Sequence, residues 1–224
     1  MEDEMSNDQR PARLRVADCR QTPNVQSMTA QLVRDFLVTP EDYLEGELLS
    51  PVKHEYLAGV VYAMAGARNV HNDIAGNIFA ALHTRLRGQP CRPYNSDTKV
   101  RLRLPNELRF YYPDAQVTCH PNPPDNSFQD NPVVVIEVIS ESTRRADEGE
   151  KRAGYLALPS VEVYLLVESG RAGVIAYRRT ATGFVREVFT GLAAVIPLGG
   201  IGTELPLAEI YERVTLPAPE AEQS

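Results

Sequence analysis

The segment Val133–Ile139 constrains the fold of this chain more than any other part of its sequence. It reads Val-Val-Val-Ile-Glu-Val-Ile and is apolar on both faces except at Glu137. Such a strand is typical of the centre of a sheet that is covered on both sides. An ionised carboxylate there costs several kcal/mol unless it has a partner, a proton or a metal ion. Glu137 is therefore either a structural carboxylate, paired internally or pointing from the strand's end into water, or a metal-binding or acid/base group.

The hydrophobic pattern around this segment predicts an α/β fold, in which a mixed β-sheet is flanked by helices. Helices are expected after Thr39-Pro40 as far as Ser50-Pro51, from Asn72 to Gly88, and over Asp147–Leu158 with Ser142 or Thr143 as caps. Further strands are expected at Lys99–Leu104, Phe110–Cys119 and Val161–Val167, with hairpins around Ala58-Gly59 and Ala181-Thr182-Gly183.

The two ends of the chain differ from its middle. Residues 1–28 and 215–224 show no periodicity, and we expect disordered tails around a single domain over residues 29–214. No apolar run approaches a membrane span, and the N-terminus lacks the pattern of a secretory signal. Three widely spaced cysteines without CxxC spacing argue against a disulfide framework and a zinc site, and favour a cytoplasmic location.

The charge is unevenly distributed. The chain has a net charge of −7, which is unlike the basic domains common among nucleic-acid binders. Residues 83–109, however, hold seven Arg and Lys and only two acids. Either this segment is a solvated helix end and strand face, or it is a stripe that contacts phosphates. The alternating segment Lys99–Leu104 predicts a strand with Lys99, Arg101 and Arg103 on its outer face.

Asp114 is the natural companion of Glu137. It follows Pro113, and a Pro-Asp pair alone is also common in turns and edge strands. Asp114 and Glu137 lie on successive predicted strands, so their side chains would be about 5 Å apart if those strands are neighbours. Two carboxylates that close repel each other unless a cation lies between them, and hard oxygen ligands suit Mg²⁺ or Mn²⁺.

Three further residues are candidates for the same site. Lys151 follows the Glu137 strand in a predicted helix, where its ammonium could orient a water or stabilise charge on a phosphate. Taken alone, a Lys in Glu150-Lys151-Arg152 is more often a solvated helix residue. Glu55 and His71 precede the second predicted helix and could face the site from the other side, although a lone His is more often a surface or packed residue.

Several motifs in this order resemble the Uma-two family, a branch of the PD-(D/E)xK nuclease superfamily. The first are Lys53–Gly59, Met64–Ala67 and His71-Asn72, then Ser96–Val100, Tyr112–Asp114 and Glu137–Ser140. The match continues with Asp147, Glu150–Arg152, Tyr155 and Leu205–Leu207. The resemblance covers about Thr39 to Val214.

The resemblance implies a restriction-endonuclease-like core with added hairpins, a divalent metal and hydrolysis of DNA phosphodiester bonds. Asp114 and Glu137 match the two acidic residues of the motif and would bind Mg²⁺ or Mn²⁺, together with the backbone carbonyl of Val138. The motif's Lys is absent, because Ile139 occupies its position, and Lys151 on the following helix fits its role. Glu55 matches the family's upstream Glu, a further ligand or base-orienting group.

Three functions are compatible with this sequence. The first is a Mg²⁺-dependent endonuclease that binds DNA, with residues 99–103 holding its backbone. The second is a catalytically inactive nuclease-fold module that binds nucleic acid or protein, which the acidic net charge and the displaced Lys favour. The third is an enzyme acting on another phosphate-containing substrate. The edge of the last predicted hairpin also leads us to expect a homodimer.

Overall fold

The computed structural model describes residues 37–140 and 144–216. The predicted tail at 1–28 lies outside these residues, as do 217–224 and the predicted caps Ser142 and Thr143. The predicted domain boundaries therefore stay a prediction. The helices are α1 (Pro40–Leu49), α2 (Asn69–Arg85), α3 (Arg144–Ala146), α4 (Arg152–Ala157) and α5 (Leu207–Ile210). A π-helical turn, Asp147–Lys151, joins α3 to α4, and a 3₁₀ turn covers Gly199–Ile201.

The strands within these described residues form three sheets. They are β1 (His54–Leu57), β2 (Val60–Ala63), β3 (Arg92–Asn95), β4 (Lys99–Leu104), β5 (Glu107–Tyr111), β6 (Ala115–Thr118) and β7 (Phe128–Gln129). After these come β8 (Pro132–Ile139), β9 (Val163–Glu168), β10 (Gly173–Thr180), β11 (Gly183–Thr190), β12 (Val195–Leu198) and β13 (Thr203–Pro206). The prediction of a mixed α/β fold with helices against the sheets is confirmed.

The central sheet has the order β11-β10-β9-β8-β6-β3, with β8 and β9 parallel and the other pairs antiparallel. Alternate residues of β8 pack into two hydrophobic clusters on opposite faces. Val134, Ile136 and Val138 belong to the cluster that contains α2 residues. Val135 and Ile139 pack with Tyr155 and other residues on the second face. The prediction that β8 is covered on both sides is thus confirmed.

A second sheet, in the order β2-β1-β5-β4-β7, covers part of that second face. Val100 and Leu102 of β4 lie in the same cluster as Val135 and Ile139 of β8, with Tyr155 of α4 among them. The side chains that project between the two sheets therefore lie in an interior with little water. Glu137 of β8 faces this interior.

Two local predictions are confirmed, the helix cap at Thr39 and the hairpin turn at Ala58-Gly59. Thr39 accepts a hydrogen bond from the backbone N–H of Asp42 at 3.1 Å, so it caps α1 as expected. Ala58 and Gly59 both have positive φ, 49° and 100°, which is the backbone of a two-residue hairpin turn. By contrast, α2 begins at Asn69, before the predicted cap Asn72, and Arg68 at its N-cap makes no side-chain cap hydrogen bond.

The predicted strand Phe110–Cys119 is wrong as one continuous element. It is split into β5 of the second sheet and β6 of the central sheet, with Tyr112-Pro113-Asp114 between them. Proline has no backbone N–H and cannot continue a hydrogen-bonded ladder, so the chain leaves one sheet here and enters the other. Asp114 consequently lies at a crossing between sheets rather than within a strand.

The basic outer face predicted for Lys99–Leu104 is wrong at its first residue. Lys99 is only 2% exposed, and its Nζ donates a hydrogen bond to the Tyr112 hydroxyl at 3.0 Å. Arg101 makes two hydrogen bonds to Asp130, at 2.6 and 2.7 Å. Arg103 remains largely exposed. The strand therefore presents one exposed guanidinium, 3.8 Å from Asp130, rather than three cations.

Cys91 and Cys119 form a disulfide bond, which corrects the prediction that their spacing argues against disulfides. They immediately flank paired ends of β3 and β6, where Arg92 is opposite Thr118. Sequence spacing could not show this because the two residues meet only through strand pairing. A reducing, cytoplasmic location loses its support from the cysteines and stays a prediction. Within residues 37–140 and 144–216, no helix has the length and apolar character that crossing a bilayer requires.

Candidate active site

Asp114, just before β6, lies opposite Glu137 of the neighbouring strand β8 when the register of these strands is extended by one residue. Strands β6 and β8 are antiparallel, with Ala115 opposite Ile136, and Asp114 directly precedes β6. The same register therefore places Asp114 beside Glu137. The backbone N–H of Val138 donates a hydrogen bond to Asp114 Oδ2 at 2.7 Å, which fixes this carboxylate at the β8 backbone. The expectation that the two strands are neighbours is confirmed.

The segment before Asp114 is held by a buried polar network. The Tyr112 hydroxyl donates a hydrogen bond to Glu47 Oε1 at 2.9 Å and accepts one from Lys99. Glu47 Oε1 also accepts from the backbone N–H of His54, at 2.8 Å. Because Tyr112 is two residues from Asp114, this network fixes the point at which the chain passes between the sheets.

Lys151 lies among three carboxylates. Its Nζ is 2.8 Å from Glu55 Oε1, 3.5 Å from Glu137 Oε1 and 3.6 Å from Asp147 Oδ1. The buried Tyr155 hydroxyl donates a second hydrogen bond to Glu137 Oε1, at 3.1 Å. These contacts come from β1, β8 and the helical segment that follows β8. The four residues of this group that carry charge form what we call the lysine cluster: Glu55, Glu137, Asp147 and Lys151.

Burial and charge shift the pKa values of this cluster. Burial raises the pKa of Glu137 well above its usual value; the Lys151 ammonium opposes this, and the nearby carboxylates reinforce it. For Lys151, burial acts to lower the pKa, but the charges of Glu137, Glu55 and Asp147 outweigh burial and raise it. Lys151 is thus a protonated ammonium at neutral pH, and three carboxyl groups surround it.

His71, in the first turn of α2, contacts the other carboxylate of the site. Its Nε2 is 3.2 Å from Asp114 Oδ2, and both side chains are mostly buried. Burial acts to lower the pKa of His71. The hydrogen bond and charge of Asp114 outweigh burial, together with the charge of Asp147 and a hydrogen bond to the Val138 backbone, so the pKa is raised overall. The structure therefore brings His71 to Asp114, as the position of the residue before the predicted helix suggested.

The donor set suits a hard divalent cation. Asp114, Glu137 and the Val138 carbonyl offer only oxygen ligands, and the carboxylates of the site outnumber its cations. Within the described ranges 37–140 and 144–216, no group of three or more His, Cys, Asp and Glu side chains is arranged as a metal-binding cluster. Mg²⁺ commonly takes only one or two protein carboxylates and keeps several waters, so a pair with a carbonyl is sufficient.

The structure brings together the predicted residues Glu55, Asp114, Glu137 and Lys151, and it adds groups that sequence reasoning gave no role. Tyr155 and Asp147 are the main additions. Asp147 had a usable signal, because it lies four residues before Lys151 and shares its helix face. Tyr155 had none beyond its place in the family motif, since an apolar helix face often carries a buried Tyr.

The sequence is similar to one protein family and to proteins within the curated set of known sequences. A family model described as "Uma2: Putative restriction endonuclease" matches residues 40–208. The uncharacterized Synechocystis sp. protein slr1290 is 34% identical over 147 residues, which is 65% of this chain and 76% of that protein. A second uncharacterized Synechocystis sp. protein, sll1609, is 29% identical over 135 residues, 59% of this chain and 75% of the relative.

A solved crystal structure has a similar fold. A crystal structure described as "a putative nuclease belonging to DUF820", from Anabaena variabilis, matches with a TM-score of 0.60. The match covers 75% of this chain and 96% of that one, at 15% sequence identity. At this identity the likeness establishes a common architecture and no more.

Proposed function

Since this chain belongs to the Uma2 family, whose model matches residues 40–208, we propose that it is a metal-dependent endonuclease that hydrolyses DNA phosphodiester bonds. The observation that carries this proposal is the buried Lys151 ammonium beside Glu137, which itself lies opposite Asp114. Such a site combines a carboxylate pair for a cation with a fixed positive charge for a phosphate. DNA as substrate, Mg²⁺ or Mn²⁺ as cofactor and the cytoplasm as location are parts of the proposal.

Each side chain has a distinct task in this mechanism. Asp114, Glu137 and the Val138 carbonyl would hold the cation. When bound, the cation would lower the pKa of a coordinated water and neutralise charge on the scissile phosphate. Lys151 would orient the attacking water or stabilise the charge that develops in the transition state, and it is already held in place before substrate arrives. Glu55 would orient the ammonium, with which it forms the shortest contact of the cluster.

The structure explains why the motif's usual Lys position is not occupied by a Lys. Ile139, which occupies the motif's usual Lys position, is fully buried in the cluster that joins β8, β4 and α4. A Lys there would have to place its charge in an apolar core. Lys151 reaches Glu137 from the adjacent helical segment instead, and this supports the view that the function of the Lys has moved along the chain.

A second candidate function is a nuclease-fold module that binds a partner without cleaving it. Among the described residues, five of the seven basic side chains in segment 83–109 have an internal partner: Arg85, Lys99, Arg101, Arg103 and Arg109. Little of the predicted basic stripe is thus available to DNA. This observation favours a protein partner or weak DNA contact over a broad cationic interface.

The deciding experiment is a cleavage assay on the purified chain. Supercoiled, linear and single-stranded DNA are incubated with Mg²⁺, with Mn²⁺ and with a chelator. We expect cleavage only with metal, and its loss in Glu137→Gln but not in the matched control Asp125→Asn, which changes an exposed acid of the β6–β7 loop. If the wild type cleaves none of these substrates with either metal, the second candidate replaces the first.

A further inference from the structure

The π-helical turn Asp147–Lys151 is the least regular part of the site. It interrupts an otherwise α-helical segment between Arg144 and Ala157. Isolated π turns are uncommon and occur frequently at functional sites. The first residue of this turn, Asp147, is buried, and the side chain of its last residue, Lys151, is only 13% exposed, whereas Gly149 and Glu150 between them are exposed. The turn therefore directs one acid and one base into the interior.

A buried tyrosine anchors this turn to the central sheet. The hydroxyl of Tyr164, a fully buried residue of β9, donates a hydrogen bond to the backbone carbonyl of Asp147 at 3.0 Å. A buried hydroxyl and a buried carbonyl each cost free energy when unpaired, so the bond holds the turn at a fixed place on β9. The orientation of Asp147 is thereby determined by the sheet as well as by its own helix.

Asp147 acts on both parts of the site, the lysine cluster and the His71–Asp114 pair. Its Oδ1 is 3.6 Å from Lys151 Nζ, and its negative charge acts on Glu137 and on His71. An ammonium group has three N–H donors, and three carboxylates surround that of Lys151. Lys151 contacts Glu137 through Oε1, and a cation bound to this carboxylate would compete with the ammonium for its negative charge and repel it. The two other carboxylates, Glu55 and Asp147, are then the groups that keep the ammonium in position.

We propose that Asp147, held by Tyr164 through the π turn, is a positioning residue that works with Glu55 to fix the Lys151 ammonium beside Glu137 during the reaction. This inference rests on the nuclease function proposed above and assigns a residue that the motif itself leaves without a role. Asp147 acts through Lys151 and does not itself contact the scissile phosphate or the cation.

The kinetic test compares Asp147→Asn with the control Glu148→Gln, which neutralises the next acid of the same turn. A misplacement of about 1 Å can cost about 10²-fold in rate, so we expect the kcat of Asp147→Asn to fall by about 10- to 100-fold. KM and Mn²⁺ affinity should stay within about twofold, and Asp147→Glu should recover part of the rate. Glu148→Gln should match the wild type.

A second measurement does not depend on cleavage. The sequence contains only three lysines, Lys53, Lys99 and Lys151, so a short pulse of an acetylating N-hydroxysuccinimide ester reports each one separately by mass spectrometry. Lys53 is substantially exposed and serves as the internal reference. We expect Lys151 to be protected in the wild type and in Glu148→Gln. In Asp147→Asn, its labelling relative to Lys53 should rise several-fold, because the ammonium has lost one of its anchors.

Tyr164→Phe provides a variant that leaves the carboxylate intact. It removes only the hydroxyl that holds the Asp147 carbonyl, and we expect the same direction of change in labelling and kcat, with a smaller size. If Asp147→Asn instead abolishes Mn²⁺ binding, Asp147 is a ligand and the inference is wrong. Unchanged Lys151 labelling in both variants also overturns it. A wild type without cleavage refutes the nuclease proposal, while the labelling still decides the position of Lys151.

Discussion

Lys151 Nζ lies 2.8 Å from Glu55 Oε1, and this contact connects the π turn with the first hairpin. Glu55 belongs to the five-stranded sheet, whereas Glu137, the next partner of the same ammonium, belongs to the six-stranded sheet. The ammonium therefore lies where two sheets and a helical turn meet. A change in the packing of either sheet alters the geometry of this one group, so the site depends on the whole fold.

The first prediction concerns metal binding. Asp114→Ala should weaken Mn²⁺ binding by more than about tenfold, because it removes one of the two carboxylates that a shared cation would neutralise. Isothermal titration calorimetry measures the effect, with Asp125→Ala as the control for an exposed acid. Equal Mn²⁺ affinity in the wild type and Asp114→Ala would show that the cation is bound elsewhere.

The second prediction concerns Lys151. Lys151→Ala should lose about 10²- to 10³-fold in cleavage rate, because a preorganised charge contact is removed. Mn²⁺ affinity should not fall, since an ammonium is not a cation ligand and its removal leaves the carboxylates more negative. Lys151→Arg should restore little, because a guanidinium differs in shape and hydration from an ammonium.

The adjacent residue provides the control for this pair of variants. Arg152 Nη1 donates a hydrogen bond to the Tyr177 hydroxyl at 2.9 Å, and its guanidinium lies over the same ring. Arg152→Ala should therefore affect stability and leave the rate per folded molecule nearly unchanged. If Lys151→Ala cleaves as fast as Arg152→Ala in Mg²⁺ or Mn²⁺, Lys151 does not replace the missing motif Lys.

The third prediction concerns the Arg101–Asp130 pair and pH. Burial acts to raise the pKa of Asp130, but hydrogen bonds from Arg101 and Asn122 outweigh this and lower it below the usual 3.8. A carboxylate whose pKa is lower when folded stabilises the fold above its unfolded pKa. This stabilisation is lost as the pH falls through the folded pKa.

We therefore expect Asp130→Asn to lower the free energy of unfolding by about 1.5–3 kcal/mol at pH 7. The difference from the wild type should persist down to about pH 4 and shrink below it. Urea unfolding at a series of pH values measures this. A difference that stays constant into the range below the folded pKa would mean that packing, rather than the ion pair, accounts for the loss.

The fourth prediction compares two helical glycines. A Cβ on Gly154 of α4 would lie 2.8 Å from Leu102 Cδ2, and Leu102 is fully buried. Gly154→Ala should destabilise the fold by about 1–3 kcal/mol through overpacking. A Cβ on Gly76 of α2 meets nothing within 4 Å, so Gly76→Ala should stabilise by about 0.5–1 kcal/mol. Thermal or urea unfolding gives both values, and a stabilising Gly154→Ala would show that Leu102 can move aside.

The fifth prediction is the homodimer expected from the last hairpin. Strand β11 forms one edge of the central sheet, and its Val185 and Val188 side chains are 49% and 52% exposed. An edge with exposed apolar residues favours pairing with another chain, so Val188→Lys should shift the protein towards the monomer. Light scattering over a broad concentration range tests this. A wild-type monomer at every concentration would contradict the prediction.

Much of the fold is present in local patterns of the sequence. The alternating residues of β4, the doubly apolar β8, the cap at Thr39 and the turn at Ala58-Gly59 all depend on neighbours within a few positions. Their elements therefore appear where they are expected. The family resemblance is also carried by local motifs of the sequence. The pairing of Asp114 with Glu137 could be predicted as well, since successive strands are often neighbours in a sheet.

The remainder depends on contacts between distant parts of the chain, which periodicity cannot report. An alternating pattern shows which face of a strand is apolar, but not which sheet the strand joins, so the break at Pro113 and the burial of Lys99 were missed. The Cys91–Cys119 bond and the π turn were missed for the same reason.

The sequence alone determined which residues carry charge at the site and in what order they occur. Only the tertiary structure decided that one ammonium is shared by three carboxylates from three elements. Electrostatic coupling depends on distance and burial, and both are set when the two sheets pack together.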